Sequence, residues 1–283
     1  MIFAVLNWRD IRYLITLAVK LKNSSNIIDV KYYFTTMSTT RIPKTIHYIW
    51  LGTRPLDETS LKCMETWKKI LPEYEVKKWG DEECKEIIAG NKYASQALAA
   101  KKYAFVSDYI RVYVLYHFGG VYMDTDVQVF KNIDRFLNEE AFSCFENATH
   151  IPTALMASVK GNKWMKMLLD DYDDREFIDA NGNMDLRTNV EVITELSIKV
   201  GLVPNGKEQV FSDGVHMYTK DYFCPIDTYS NNDVFTENTY AAHLYNGSWT
   251  SPTRRKLSKL KKKLSLDLDK LLPSSIVNLL RRI

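Results

Sequence analysis

The run Gly119-Gly120-Val121-Tyr122-Met123-Asp124-Thr125-Asp126-Val127 presents two carboxylates, one residue apart, directly after an apolar stretch. In a strand, residues i and i+2 point to the same side, so Asp124 and Asp126 are expected to converge near the chain's edge rather than in its core. Two like charges at that spacing disfavour one another unless a cation sits between them. A hard divalent ion that keeps waters and bridges one or two carboxylates to a diphosphate suits the arrangement. An isolated Asp-x-Asp at a strand end is more often a solvated pair, so the reading depends on what else could gather there.

Arg111 lies thirteen residues before Asp124 on an apolar helical stretch, with Asp108 one turn earlier on the same face. The pair has a bland reading, an i,i+3 ion pair worth about 0.3–0.5 kcal/mol. It also has a chemical one, in which Arg111 binds donor hydroxyls or phosphate and Asp108 accepts a sugar hydroxyl. Trp50 closes the strand-like run Thr45-Ile46-His47-Tyr48-Ile49-Trp50 and offers a ring face for a nucleobase. His243, in Ala241-Ala242-His243-Leu244-Tyr245-Asn246-Gly247-Ser248-Trp249, could complete a metal shell begun by two carboxylates. Ser248 and Trp249 could donate to a leaving diphosphate, since a hydroxyl and an indole N–H are both donors. Read singly, Trp50 is also a plausible core tryptophan and His243 a plausible structural histidine.

The elements that must position these groups alternate from residue 41 onward. Periodicity predicts a strand at 45–50, a helix at 57–70, a strand at 74–79, a helix at 81–89 and a helix at 97–118 stopped by Gly119-Gly120. The strand with the Asp pair comes next. Helices near 162–173 and 189–200 and short strands near 208–211 and 215–218 follow in a less regular region. Strands alternating with helices imply an α/β layered domain with a mainly parallel central sheet. Ligands of such sheets collect at the carboxyl ends of the strands, where Trp50 and the Asp pair both fall.

The chain has 283 residues and a formal charge of +3, but residues 254–282 hold ten Lys/Arg against two Asp, leaving about 3 − 8 = −5 for the rest. A mildly acidic body argues against nucleic acid as a partner. The tail's Leu257, Leu260, Leu264, Leu268 and Leu271 form one helical stripe, so 254–283 reads as a basic amphipathic segment suited to an anionic membrane surface or to packing on the domain. The expected location is cytoplasmic, either free or peripheral on the cytoplasmic face of a membrane. Cys63, Cys84, Cys144 and Cys224 fit no metal spacing and are expected to be buried thiols. No apolar run is long enough to span a bilayer, and 11–21 lacks a signal cleavage site. Residues 1–37 read as an extension, either upstream of a start at Met37 or as a short helix pair. The divisions are therefore 1–37, 38–250 and 251–283.

Taken together, the motifs resemble the DXD-containing glycosyltransferases grouped as family 32. Arg41-Ile42-Pro43-Lys44-Thr45-Ile46-His47-Tyr48-Ile49-Trp50-Leu51-Gly52 is similar to that family's opening strand, and Cys63 to Trp67 with Leu71 to Val76 and Trp79 to its second block. Ala104 to Arg111, Leu115-Tyr116 and Gly119 to Asp126 resemble its most specific signature, and His243 with Gly247-Ser248-Trp249 its closing motif. The resemblance spans roughly 41–250. It implies a GT-A type nucleotide-sugar-binding fold, a UDP- or GDP-hexose donor, Mn2+ or Mg2+, and transfer with retention to a glycan or lipid-linked acceptor, as in surface polysaccharide or capsule synthesis. By analogy with bacterial glucosylating toxins, it implies that Trp50 stacks on the base, Asp108 and Arg111 hold the donor sugar, Asp124 contacts ribose and metal-bound water, and Asp126 binds the metal. His243 as metal ligand, Ser248 and Trp249 at the leaving diphosphate, and Asn189 with Asp185 near donor or acceptor complete the implied set. A protein acceptor or a non-catalytic sugar-nucleotide module are the alternatives. An aspartyl-phosphate phosphatase is disfavoured, because Gln128 stands where such enzymes want Thr or Val.

Overall fold

The computed structural model describes residues 40–227 and 233–247. The leucine-striped tail, the segment 1–37, Ser248 and Trp249 lie outside the described residues. A compact unit begins at Arg41, and among its described residues the elements run β1 (Thr45–Ile49), α1 (Glu58–Ile70), β2 (Glu75–Trp79), α2 (Asp81–Ala89), α3 (Lys92–Ala99), α4 (Tyr103–Phe118), β3 (Gly120–Met123) and β4 (Val127–Val129). A single 3-10 turn (Asp134–Phe136) leads to β5 (Ala141–Cys144), β6 (Leu155–Ser158), α5 (Lys163–Asp173), α6 (Asn189–Lys199), β7 (Gln209–Phe211), β8 (Val215–Tyr218), the short α7 (Lys220–Phe223) and β9 (Ala241–His243).

Seven strands form one sheet in the order β2-β1-β3-β6-β5-β8-β7, and β4 pairs with β9 in a separate ribbon. β1 is parallel to β2 and β3, and β5 to β8, whereas β6 and β7 are antiparallel to their neighbours. Five of the seven strands thus run one way. The sheet is mainly parallel in direction but mixed in pairing, because reversed β6 separates β3 from β5.

Strand alternation divides the core between two faces. Tyr122 and Met156 point to the face covered by α2 to α6, packing with Tyr109, Val112, Trp164 and Ile193. Val121, Met123, Leu155 and Ala157 point to the other, where α1 contributes Trp67 and α7 contributes Phe223. The result is a helix–sheet–helix sandwich. Asp57 caps α1 by accepting from the N–H of Ser60 at 2.9 Å.

One helix departs from its sequence reading. The 97–118 stretch breaks at Lys101, which takes a left-handed φ of 57°, and Lys102 donates its N–H to Ala97 O at 2.9 Å. That closes α3 in the manner of a left-handed cap, so α4 restarts at Tyr103 with its own axis.

The Gly119-Gly120 pair is fixed by what it touches. Gly120 has a φ of 103°, and a Cβ there would lie 2.7 Å from Thr45 O and 2.9 Å from His47 Nε2. Only glycine lets β3 lie this close to β1. His47 is buried; its Nε2 donates to Gly119 O at 2.8 Å while Nδ1 accepts from Trp79 Nε1 at 3.0 Å. Burial holds the imidazole neutral and pushes its pKa down to about 4.

Candidate cation and donor site

β3 ends at Met123, and the Asp pair follows it in a turn rather than in the strand. Val127 N–H donates to Asp124 O at 3.0 Å, closing a four-residue turn over Asp124–Val127. The two carboxylates therefore approach one another because the chain folds back, and strand alternation is not the cause. Nor are they at the sheet's edge: β3 is third of seven strands, and Asp126 is only 7% exposed.

The turn leads into β4, whose antiparallel partner β9 sets His243 opposite Val127. Asp124, Asp126 and His243 each present a ligand atom, all within 4.8 Å of one another. His243 Nε2 lies 3.4 Å from Asp126 Oδ1. The other oxygen, Oδ2, accepts from Asn246 N–H at 2.7 Å, and Leu244 N–H donates to the Asp126 carbonyl at 3.0 Å. Burial alone would raise the Asp126 pKa, but hydrogen bonds from His243 and Asn246 outweigh it and hold the group ionised. His243 shows the converse in the absence of a cation: burial opposes its charge, yet Asp126, Cys224 and Asp124 raise its pKa to about 10, so a metal would have to displace that proton to gain the imidazole as a ligand. The cluster thus draws positive charge to itself. Two carboxylates and one imidazole form a donor set that fits a hard or borderline divalent ion such as Mn2+ or Mg2+.

Arg111 ties this cluster to α4. Its NH2 lies 3.1 Å from Asp108 Oδ1 and 3.5 Å from Asp124 Oδ1, NH1 donates to Thr153 O at 2.8 Å, and the guanidinium sits 4.7 Å over the Tyr122 ring. The expected i,i+3 ion pair is present, and Arg111 also extends it to the Asp pair. Its Nε has no hydrogen-bond partner among the described residues. Burial pushes the Asp108 carboxyl up to about 6, with Arg111 opposing and Asp124 adding to the rise. Asn189, at the first turn of α6, lies beside Asp108. Its Oδ1 accepts from Tyr172 OH at 3.1 Å, while its buried Nδ2 makes no hydrogen bond of good geometry. A sugar hydroxyl is the kind of group that could satisfy such a donor.

Asp185 is differently employed. It pairs with Arg175 at 2.7 Å and with Arg187 at 3.2 Å, which pins the loop before α6. Trp50 directly follows β1, which pairs in parallel with β3. It is half-buried, and its Nε1 donates to Arg54 O at 2.6 Å. Sequence reasoning did not single out Tyr122, whose OH donates to Asp124 Oδ1 at 2.6 Å, or Asn246, whose side chain also reaches Asp57 Oδ2 at 2.6 Å. The only signal for Asn246 was its place inside the His243–Trp249 element. Tyr122 read as an ordinary core tyrosine of an apolar strand.

Residues 57–143 match the family described as the glycosyltransferase sugar-binding region containing the DXD motif. The chain carries the DXD glycosyltransferase region. That region takes in Asp108, Arg111, Asp124 and Asp126, and leaves Trp50, Asn189 and His243 outside it. A stretch of 130 residues is 28% identical to inositol phosphoceramide mannosyltransferase 3 of Schizosaccharomyces pombe, covering 44% of this chain and 35% of that protein. A stretch of 135 residues is 27% identical to inositol phosphoceramide mannosyltransferase 2 of the same organism, covering 47% and 39%. The matches thus span little more than a third of the length of these curated relatives. The solved structure of the PaToxG glycosyltransferase is 20% identical, with a TM-score of 0.42 over 60% of this chain and 76% of that one.

Proposed function

We propose that this chain transfers a hexose from a nucleotide-sugar, a UDP- or GDP-hexose, to a glycan or lipid-linked acceptor, with retention of anomeric configuration. Residues 38–250 would form a GT-A type domain for this purpose. The observation that carries the reading is the convergence of Asp124, Asp126 and His243 beside the buried Arg111–Asp108 pair, with four of these five residues inside the DXD region. The names of the two curated relatives, both mannosyltransferases of inositol phosphoceramide, support a hexose donor and a lipid-bearing acceptor.

Asp124, Asp126 and His243 would hold the Mn2+ or Mg2+, and Ser248 and Trp249 would donate to the leaving diphosphate. A bound divalent ion would supply Lewis-acid stabilisation of charge on the departing diphosphate. Arg111 adds fixed positive charge in a site largely closed to water, where it acts without reorganisation. Asp108 and Asn189 would fix donor-sugar hydroxyls, and Trp50 would stack on the base. Retention fits a front-face displacement, in which the acceptor hydroxyl approaches on the side the diphosphate leaves. The basic tail 254–283 supports residence on the cytoplasmic face of an anionic membrane.

The test is a screen of UDP- and GDP-hexoses for Mn2+-dependent hydrolysis or transfer, with Asp126→Asn as control. Turnover of at least one donor is expected, falling about 100-fold or more with the substitution. Absence of binding and turnover with every donor, or full activity in Asp126→Asn, would overturn the proposal.

A further inference from the structure

Tyr245 lies outside the DXD region, yet it stands directly behind the candidate cation site. Its backbone is left-handed, with a φ of 50°. Bulky L-residues rarely adopt this conformation, and it persists only where the surroundings over-determine it. Here two side chains do so. The Tyr245 ring packs against that of His243, with centroids 4.0 Å apart and planes inclined by 35°. Its phenol oxygen lies 3.0 Å from Cys224 Sγ.

The residues on either side both turn to Asp126. Leu244 N–H donates to its carbonyl at 3.0 Å, and Asn246 N–H to its Oδ2 at 2.7 Å. The left-handed step at Tyr245 lies between these two donors, so it decides whether the second one returns to the residue the first has reached. With Oδ2 engaged in this way, Oδ1 is the oxygen left facing His243 Nε2 at 3.4 Å.

We propose that Tyr245 is the positioning residue of the cation site. Its backbone turn orients the Asp126 carboxylate, and its ring, anchored by Cys224, fixes the plane of the His243 imidazole. Such supporting contacts orient the groups that hold a metal and tune its affinity. The inference rests on the cation reading of Asp124, Asp126 and His243.

The experiment uses the full chain and Mn2+ alone as probe, with free ion followed by electron paramagnetic resonance. Tyr245→Phe keeps the ring and removes the oxygen held by Cys224. Tyr245→Gly adopts the left-handed turn freely and removes the ring. Circular dichroism without metal confirms folding, and Tyr245→Phe, which loses one atom, decides the matter if the glycine variant does not fold. Each folded variant is expected to bind Mn2+ about tenfold more weakly than the parent. Affinities within about twofold of the parent's would overturn the positioning role and leave the cation reading standing. A parent chain that binds no Mn2+, or binds it equally well after Asp126→Asn, would overturn both.

Discussion

His47→Gln isolates one buried proton equilibrium. The imidazole is 1% exposed and fully hydrogen-bonded as a neutral ring, accepting from Trp79 and donating to Gly119. Its folded-state pKa is about 4, against 6.5 for the free side chain, chiefly because burial disfavours the charged form. A histidine whose pKa is depressed on folding leaves the native state with fewer protons than the unfolded chain, so stability falls as pH falls. The contribution is complete above about 6.5 and is lost progressively toward 4. At 1.36 kcal/mol per pKa unit, the two values give a loss of about 2 kcal/mol between pH 7 and pH 5. A glutamine can accept from Trp79 with Oε1 and donate to Gly119 with Nε2, so it retains both bonds and does not titrate. Urea unfolding of parent and variant at both pH values removes the carboxylates common to them by difference. The parent is expected to lose about 2 kcal/mol more than His47→Gln between pH 7 and pH 5. Equal losses in the two proteins would refute the claim that His47 is neutral and buried, and with it the account of why β1 and β3 require the glycine pair.

Two further outcomes follow from the same packing. Gly120→Ala would place a methyl 2.7 Å from Thr45 O at a φ of 103°, so a stability loss of about 3 kcal/mol or more is expected in denaturant unfolding, and a loss under about 1 kcal/mol would contradict it. Arg111→Met leaves Asp108 and Asp124 without the guanidinium that lies 3.1 and 3.5 Å from them; urea titration at neutral pH should show a loss of about 3–5 kcal/mol, and a near-neutral effect would mean the pair is solvated rather than buried.

How far the sequence carried the structure depended on where each signal was local. Helix α2 could be read because Asp81, Glu82 and Glu83 crowd its first turn and Gly90 follows it. The end of α4 could be read from Gly119, whose positive φ stops the helix. β5 and β6 could not, since all eight of their residues are buried and no alternation survives in Ala141–Cys144 or Leu155–Ser158. The break at Lys101 was hidden because Ala99 and Ala100 are good helix formers on its near side. In the site, residue types together with the family resemblance pointed to Asp124, Asp126 and His243, whereas the turn that joins the Asp pair depends on backbone geometry that the strand pattern conceals. Tyr122 and Tyr245 were illegible for another reason: a phenol in an apolar run looks like core until its hydroxyl is seen to meet a carboxylate or a thiol.

The pairing of β4 with β9 also sets a schedule for biosynthesis. Val127 and His243 are opposite one another in that ribbon although 243 − 127 = 116 residues separate them in the chain. At translation rates of about 5–20 residues per second, Asp126 leaves the ribosome roughly 6–23 s before the strand that gives it His243, Leu244 and Asn246. Throughout that interval the nascent chain holds its acidic pair without the imidazole, and ions captured then would meet a looser, all-oxygen set. Under the proposed cation role, selection among cellular cations would be deferred until the last described strand has docked.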